Sequence, residues 1–209
     1  MIKILIADDH PYIREGLKKI ISKEPGMTVA DEASNGQEAL NKAWEKDYDV
    51  VLLDISMHGM SGLDVLKQLK KQKPKLAILI LTMHPEEEYA VRVLKLGASG
   101  YLIKESAPDE LIRAIKKVSE GGKYVSSSVA ERLAFEIGTD YTKPLHAALA
   151  DREYQVMCMI GKGKTARKIA EELSLSVKTV NTYRSRILEK MKMKTSSEII
   201  YYAVKNNLI

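Results

Sequence analysis

The chain has almost no cysteine: among 209 residues there is one, Cys158. It lies in the apolar stretch Val156-Met157-Cys158-Met159-Ile160, which excludes an intramolecular disulfide and a thiolate-rich zinc site. A buried, inert thiol is the expectation. Long hydrophobic runs are missing too, for no stretch approaches the roughly 18 apolar residues that read as a membrane span. A secretory leader is not seen either, since the sequence opens directly on strand residues and an acidic pair, without a basic segment followed by an apolar one. These absences place the expected location in the cytoplasm. There is no internal repeat and no low-complexity tract, and 45% hydrophobic with 29% charged residues fits one large globular domain or two modest ones without naming a function.

Charge becomes informative when the chain is divided near residue 145. Up to that point 21 Lys and Arg face 22 Asp and Glu, and beyond it 12 face 6, so the net +5 is carried by the shorter carboxyl-terminal part. A small basic segment beside a near-neutral larger one points to nucleic acid or another anionic surface as its partner. A solvated basic face alone would look the same.

Four apolar runs each end in a residue able to take part in phosphoryl chemistry. Ile4-Leu5-Ile6-Ala7 leads into Asp8-Asp9, Val50-Val51-Leu52-Leu53 into Asp54, Ile78-Leu79-Ile80-Leu81 into Thr82, and Tyr101-Leu102-Ile103 into Lys104. Short, continuously apolar, β-branched-rich runs read as strands buried on both faces of a parallel sheet. Ligands of such sheets gather beyond the carboxyl ends of the strands. The runs at 2–7, 27–30, 49–53, 76–81 and 100–103 alternate with helical spacings such as Leu17, Ile20, Ile21 and Leu111, Ile112, Ile115, and predict five βα units. Glycines fall at the edges of the runs, where turns need a permissive backbone.

Three carboxylates, a hydroxyl and an ammonium would then converge. Mg²⁺ favours octahedral oxygen coordination from one or two carboxylates plus phosphate oxygens and water, and Asp8, Asp9 and Asp54 can supply this without closing the shell. Crowded carboxylates need positive compensation, from the cation and Lys104, and one of them can then act as a nucleophile. Asp54, alone at the end of the central run, is the best placed. Any single Asp after a strand is more often a helix cap; the joint occurrence at four strand ends is what carries the reading.

Residues 1–122 resemble the receiver domain of two-component response regulators. The resemblance rests on Ile6-Ala7-Asp8-Asp9-His10, Leu53-Asp54-Ile55-Ser56-Met57, Leu81-Thr82, and Gly97-Ala98-Ser99-Gly100-Tyr101-Leu102-Ile103-Lys104. It implies a doubly wound, flavodoxin-like α/β fold with a five-stranded parallel sheet of order 2-1-3-4-5. It further implies that a histidine kinase transfers a phosphoryl group to Asp54, and that Asp8, Asp9, Asp54 and the backbone carbonyl of Ser56 hold Mg²⁺. Thr82 and Lys104 would bind the phosphoryl oxygens. The new charge, roughly −1.5 to −2, would draw Thr82 inward and leave a space for Tyr101, the expected switch. Two positions depart from the family pattern: His58 and Glu105 stand where many receivers have proline. The second leaves open a cis Lys104–Glu105 bond, at a cost of about 3 kcal/mol.

A haloacid-dehalogenase-like phosphatase combines similar groups, but its nucleophile is followed two residues later by a second acid, and here that residue is Ser56. Slow loss of the chain's own phosphoryl group, influenced by Ser56 and His84, is expected instead of enzymatic turnover.

Residues 123–148 read as a helix and a linker, the helix running through Leu133 and Ile137 and the flexible part around Gly138-Thr139-Asp140 and Pro144. Four helical patterns follow at about 151–160, 166–173, 177–191 and 196–206. A short helix, the tight Ser174-Leu175-Ser176 turn and a longer helix form a helix-turn-helix signature. Ser176 suits an N-cap, and Val180, Tyr183, Ile187 and Met191 form a buried stripe. The opposite face carries Lys178, Asn181, Thr182, Ser185 and Arg186, able to enter a major groove.

Within the domain at 149–209, the segment from Leu149 through about Ala203 resembles the LuxR-type output domain of the NarL/FixJ class, through Arg152-Glu153, Gly163, Ile169-Ala170, Leu173, Ser176, Thr179-Val180, Ile187 and Lys190-Met191. Asn181-Thr182-Tyr183-Arg184-Ser185-Arg186 looks closer to its GacA-like branch. The resemblance implies Lys178, Asn181, Thr182 and Ser185 as readers of bases or phosphates, and Thr179, Arg184 and Arg186 as backbone contacts. Ala150 replaces a common Thr N-cap, and Lys168 a common Glu. Gly163-Lys164-Thr165 is no nucleotide-binding loop, because that motif needs glycine five positions earlier, at Cys158. A helix lying on a membrane is disfavoured by the lack of a large exposed apolar face. The expectation is a DNA-binding regulator controlled by phosphorylation of Asp54, with a sensor histidine kinase, double-stranded DNA and a second copy of the chain as partners. A regulator that binds only protein is the alternative.

Overall fold

The computed structural model describes residues 1–106, 108–138, 144–206 and 208–209. Its contacts divide into two compact units, Met1–Ala130 and Glu131–Ile209.

The first unit alternates strand and helix: β1 Ile2–Ala7, α1 Pro11–Ile21, β2 Met27–Ala33, α2 Gly36–Glu45, β3 Val50–Leu53, α3 Gly62–Gln72, β4 Ala77–Thr82, α4 Glu86–Lys95, β5 Gly100–Ile103 and α5 Pro108–Ser119. All pairings are parallel, in the order β2-β1-β3-β4-β5. Helices start where the local chemistry favours it. Pro11 opens α1, where its missing N–H costs nothing. Asn35 accepts the Glu38 N–H at 2.9 Å at the start of α2, and Ser61 caps α3 through Asp64.

Both sheet faces are dry. On one, Ile4, Ile6, Val50, Leu52, Leu79, Leu81 and Leu102 pack with Leu17 and Ile21 of α1 and with Leu111, Ala114, Ile115 and Val118 of α5. The alternate residues, among them Leu5, Val51, Leu53, Ile78 and Ile80, point the other way and are equally buried. Continuous apolar strands follow from this two-sided burial. Edge strand β2 is different, running through polar Asp31 and Glu32 as far as Ala33, three residues beyond the apolar run at 27–30. Those acids are held by Lys46, Tyr48, Arg14 and Lys18, so the strand continues past its hydrophobic signal.

Tyr124 bridges Gly100 and exchanges backbone hydrogen bonds with Ser99 and Tyr101, so the chain stays on the sheet just past residue 122. Helix α6, Ser127–Gly138, follows. Residues 139–143 of the expected linker lie outside the described residues.

The second unit contains a 3-10 turn at Leu145–Ala148, then α7 Asp151–Gly161, α8 Ala166–Leu173, α9 Val177–Lys190 and α10 Ser196–Lys205. Thr165, Ser176 and Thr195 cap the last three helices. Ala150 has no side chain to cap α7; instead Glu153 accepts the Ala150 N–H at 2.8 Å and receives Lys190 Nζ at 2.6 Å. Burial works against the Glu153 carboxylate, but these donors hold its pKa below the usual range. Ile169, Val180, Ile187, Met191, Ile199 and Ala203 are buried in this unit, and Cys158 is buried and in no disulfide.

Candidate functional site

Strand register assembles the first site. Ala7 pairs with Leu53, so Asp8 and Asp54 emerge side by side, and Thr82 pairs with Ile103, directly before Lys104. Backbone bonds extend each ladder to the site: Asp8 N to Ala33 O at 3.1 Å, Asp54 N to Ala7 O at 2.9 Å, and Lys104 N to Thr82 O at 2.8 Å. Gly62 completes the cradle, because a Cβ there would sit 1.9 Å from the Asp54 carbonyl oxygen. Only glycine allows α3 to begin against that strand end.

Lys104 Nζ lies 2.6 Å from Asp8 Oδ2 and 2.8 Å from Asp54 Oδ2, with its side chain only 4% exposed. Burial pushes the Asp54 carboxyl above the usual carboxylate range, against the pull of Lys104. Burial also works against the ammonium, but Asp54 and Asp8 keep the Lys104 pKa above the ordinary lysine value. Asp54 Oδ1 is buried and has no hydrogen-bond partner among the described residues. Ligand-capable atoms of Asp8, Asp9, His10 and Asp54 all fall within 4.8 Å of one another. One ammonium facing three carboxylates leaves room for further positive charge.

Thr82 is fully buried, and its Oγ1 accepts the His84 N–H at 3.5 Å. Tyr101 is also inside: its hydroxyl donates to the carbonyls of His84 at 2.8 Å and Pro85 at 3.3 Å. The space that the sequence reading left for Tyr101 to enter is therefore filled here. No described peptide bond is cis, so Lys104–Glu105 is trans, which corrects the cis option raised by Glu105.

Several contacts have no signal in residue spacing. Arg14 Nη1 donates to the Asp8 carbonyl at 2.7 Å while its Nε reaches Glu32 at 3.2 Å, tying the acidic strand end to β2. His10 and His58 both touch Asp9. Ser56 Oγ and His84 Nε2 are 2.8 Å apart.

The second site is the outer face of α9. Lys178, Asn181, Thr182, Arg184, Ser185 and Arg186 are exposed, whereas Thr179 is half-buried and shares a hydroxyl hydrogen bond of 2.8 Å with Ser176. Thr182 Oγ1 donates to the Lys178 carbonyl at 3.0 Å. Val180 and Ile187 anchor the inner face, Tyr183 is half-buried, and Met191 is buried just past the helix end. The turn before α9 closes through Ser174 in the left-handed region at φ 52° and the Leu175 N–H to Ala170 O bond at 2.8 Å.

A five-stranded parallel receiver fold with acids at its strand ends, together with a helix-turn-helix, defines a phosphorylation-responsive DNA-binding protein. Comparison with known families agrees. Residues 4–116 match the response regulator receiver domain, and residues 147–203 the bacterial regulatory proteins of the luxR family. The chain is 37% identical over 209 residues to the response regulator UvrY of Escherichia coli (strain K12), covering all of this chain and 96% of that one. It is 34% identical over 209 residues to the response regulator GacA of Pseudomonas protegens (strain DSM 19095 / LMG 27888 / CFBP 6595 / CHA0), covering all of this chain and 98% of that one. A solved two-component response regulator RcsB–DNA complex aligns with a TM-score of 0.60 at 26% identity, covering 97% of this chain and 98% of that one. The chain belongs to the NarL/FixJ class of two-component response regulators, a receiver domain joined to a LuxR-type DNA-binding domain, and its function is transcriptional regulation.

Proposed function

We propose that Asp54 is the phosphoryl acceptor and that its modification governs DNA binding through α9. The observation that carries this is the unpartnered Asp54 Oδ1, held in a pocket whose other carboxylate oxygen is fixed by Lys104. In the reaction Asp54 Oδ1 attacks the phosphorus of a phosphohistidine on a sensor kinase. The P–N bond breaks, its electron pair leaves with the imidazole nitrogen, and that nitrogen takes up a proton. Lys104 and Thr82 receive the phosphoryl oxygens. The pocket's hard oxygen donors and excess negative charge suit Mg²⁺, which Asp8, Asp9, Asp54 and the Ser56 carbonyl would hold. When bound it supplies positive charge that offsets the incoming phosphoryl group. Turnover of external substrates is not expected; the chemistry is acceptance of the group and its slow hydrolysis, whose rate Ser56 and His84, 2.8 Å apart, help to set.

The switch works by population shift: the phosphoryl group holds Thr82, and with it the inward Tyr101, favouring the arrangement that dimerises. In the output unit Lys178, Asn181, Thr182 and Ser185 read bases or phosphates, and Thr179, Arg184 and Arg186 hold the backbone. The setting for both events is the cytoplasm.

Incubation of the full chain with Mg²⁺ and a small acyl phosphate, scoring phosphoryl label and dimer fraction together, tests the reading. Wild type is expected to label and dimerise, and Asp54→Ala to do neither. Absence of label in wild type, beside a control receiver that labels, would overturn it.

A further inference from the structure

Tyr101 is held from two sides. Its hydroxyl donates to the carbonyls of His84 at 2.8 Å and Pro85 at 3.3 Å, the two residues that precede α4. Its backbone N–H donates to the Tyr124 carbonyl at 3.1 Å, on the segment that bridges to β5 at Gly100. That crossing is tight, because a Cβ at Gly100 would lie 2.6 Å from the Tyr124 carbonyl oxygen. The Tyr124 hydroxyl adds a hydrogen bond of 3.2 Å to Glu110 of α5. One residue past Pro85 and two past Tyr124 the two segments meet again, where the Ser126 hydroxyl donates to Glu86 Oε2. The same Oγ accepts the Val129 N–H at 3.4 Å and the Ser126 carbonyl accepts the Ala130 N–H at 3.0 Å, so Ser126 also caps α6.

A lone hydroxyl on a half-buried carboxylate usually contributes little. Here it closes a ring that runs from Tyr101 through Pro85, Glu86, Ser126 and Tyr124 back to Tyr101, and the ring reaches the acidic pocket through the His84 N–H on Thr82 Oγ1 at 3.5 Å. We propose that Ser126 and Glu86 form a latch that ties the start of α6 to the position of Tyr101: α6 is held while Tyr101 is inward and released when it leaves. The proposal rests on the reading of Asp54 as phosphoryl acceptor for what drives Tyr101, whereas the ring itself is independent of it. Latched and open are then the two arrangements whose populations phosphorylation shifts. The coupling is reciprocal, so breaking the latch also disfavours the inward Tyr101.

The test is amide hydrogen exchange at Val129 and Ala130 in the full chain, before and after Mg²⁺ and a small acyl phosphate are added. Wild type is compared with Ser126→Thr, Glu86→Ala, Tyr101→Phe and the double variant of the last two. Before the donor is added, Glu86→Ala should lower protection about fivefold or more, although the capping atoms of Ser126 stay in place. Tyr101→Phe should do the same, the double variant should fall no further than the worse single one, and Ser126→Thr should keep wild-type protection. On labelling, protection should rise about threefold or more in wild type and stay unchanged in Glu86→Ala, with Asp54 labelled to within about twofold in both. Wild-type protection in Tyr101→Phe, or losses that multiply in the double variant, overturns the latch and leaves Ser126 a helix cap alone. Labelling at Asp54 with no change at α6 in wild type overturns it too and leaves the phosphoryl-acceptor reading standing. Coupled losses in a chain that never labels support the latch and remove the reading beneath it.

Discussion

The acidic pocket draws its side chains from segments scattered between residues 8 and 104, whereas the α9 face takes seven from the nine consecutive positions 178–186. The first is largely buried, Asp8, Asp54 and Thr82 fully so, whereas the second is exposed apart from half-buried Thr179. In the pocket, charges act through a medium less polar than water, so Lys104 matters to Asp8 and Asp54 at once and the groups should fail together. On α9 each side chain meets solvent, interactions are screened, and losses should be separable. The same chain therefore keeps a coupled switch in its sheet and an additive reader on its helix.

The largest expected effect comes from removing the anchor of the reader. Ile187→Ala, at a fully buried position, should cost about 2–5 kcal/mol and abolish DNA binding by loosening α9. Chemical denaturation followed by circular dichroism measures it, and a loss below about 1 kcal/mol would show that the inner stripe does not hold the helix. Next is Lys104→Met. Without the shared ammonium, phosphoryl labelling of Asp54 should fall about a hundredfold or more, comparable to removal of a preorganised charge-stabilising donor. In a double-mutant cycle with Asp8→Asn the two losses should not add. Additive losses would mean that the pocket is not one coupled unit.

Smaller and separable effects are expected on α9. Asn181→Ala should weaken binding to a specific duplex by about 1–3 kcal/mol and relax discrimination among sequences, whereas Lys178→Ala, if it meets a phosphate, should lower the salt slope by about 1. Fluorescence anisotropy across a salt series distinguishes them, and insensitivity to both changes and to salt would favour a protein-binding regulator.

The smallest effect concerns stability against pH. Glu38 is depressed from an ordinary 4.5 to about 2 by the hydrogen bond from Lys42 and then by the Ser34 N–H. A depressed folded-state pKa means its contribution is present above about 4.5 and lost as pH falls towards about 2. Because its side chain is 35% exposed, Glu38→Gln should lower stability at pH 7 by only a fraction of a kcal/mol. The difference from wild type should vanish in melts near pH 2; a difference that persists there would assign it to packing.

Much of the fold is legible because two-sided burial writes itself as continuous apolar runs, and because Ser176 marks the start of α9 by capping chemistry. The end of β2 was not, since Asp31 and Glu32 look like loop residues until Lys46 and Arg14 are seen beside them. Gly62 read as a turn glycine, although its need is the near approach to the Asp54 carbonyl. The sequence leaves Tyr101 a space to enter, whereas in the structure its hydroxyl is already hydrogen-bonded within.

By itself the sequence determined the order of strands and helices along the chain, the acids, hydroxyl and ammonium at the strand ends, and the polar outer face of α9. Those are local matters, set by side-chain period, hydrophobicity and backbone propensity. Tertiary structure alone decided that Lys104 joins Asp8 to Asp54, that Arg14 grips the Asp8 carbonyl, and that His10 and His58 meet on Asp9. The reason is that register and loop path, which no spacing in one sequence records, fix which distant residues share a few ångströms of space.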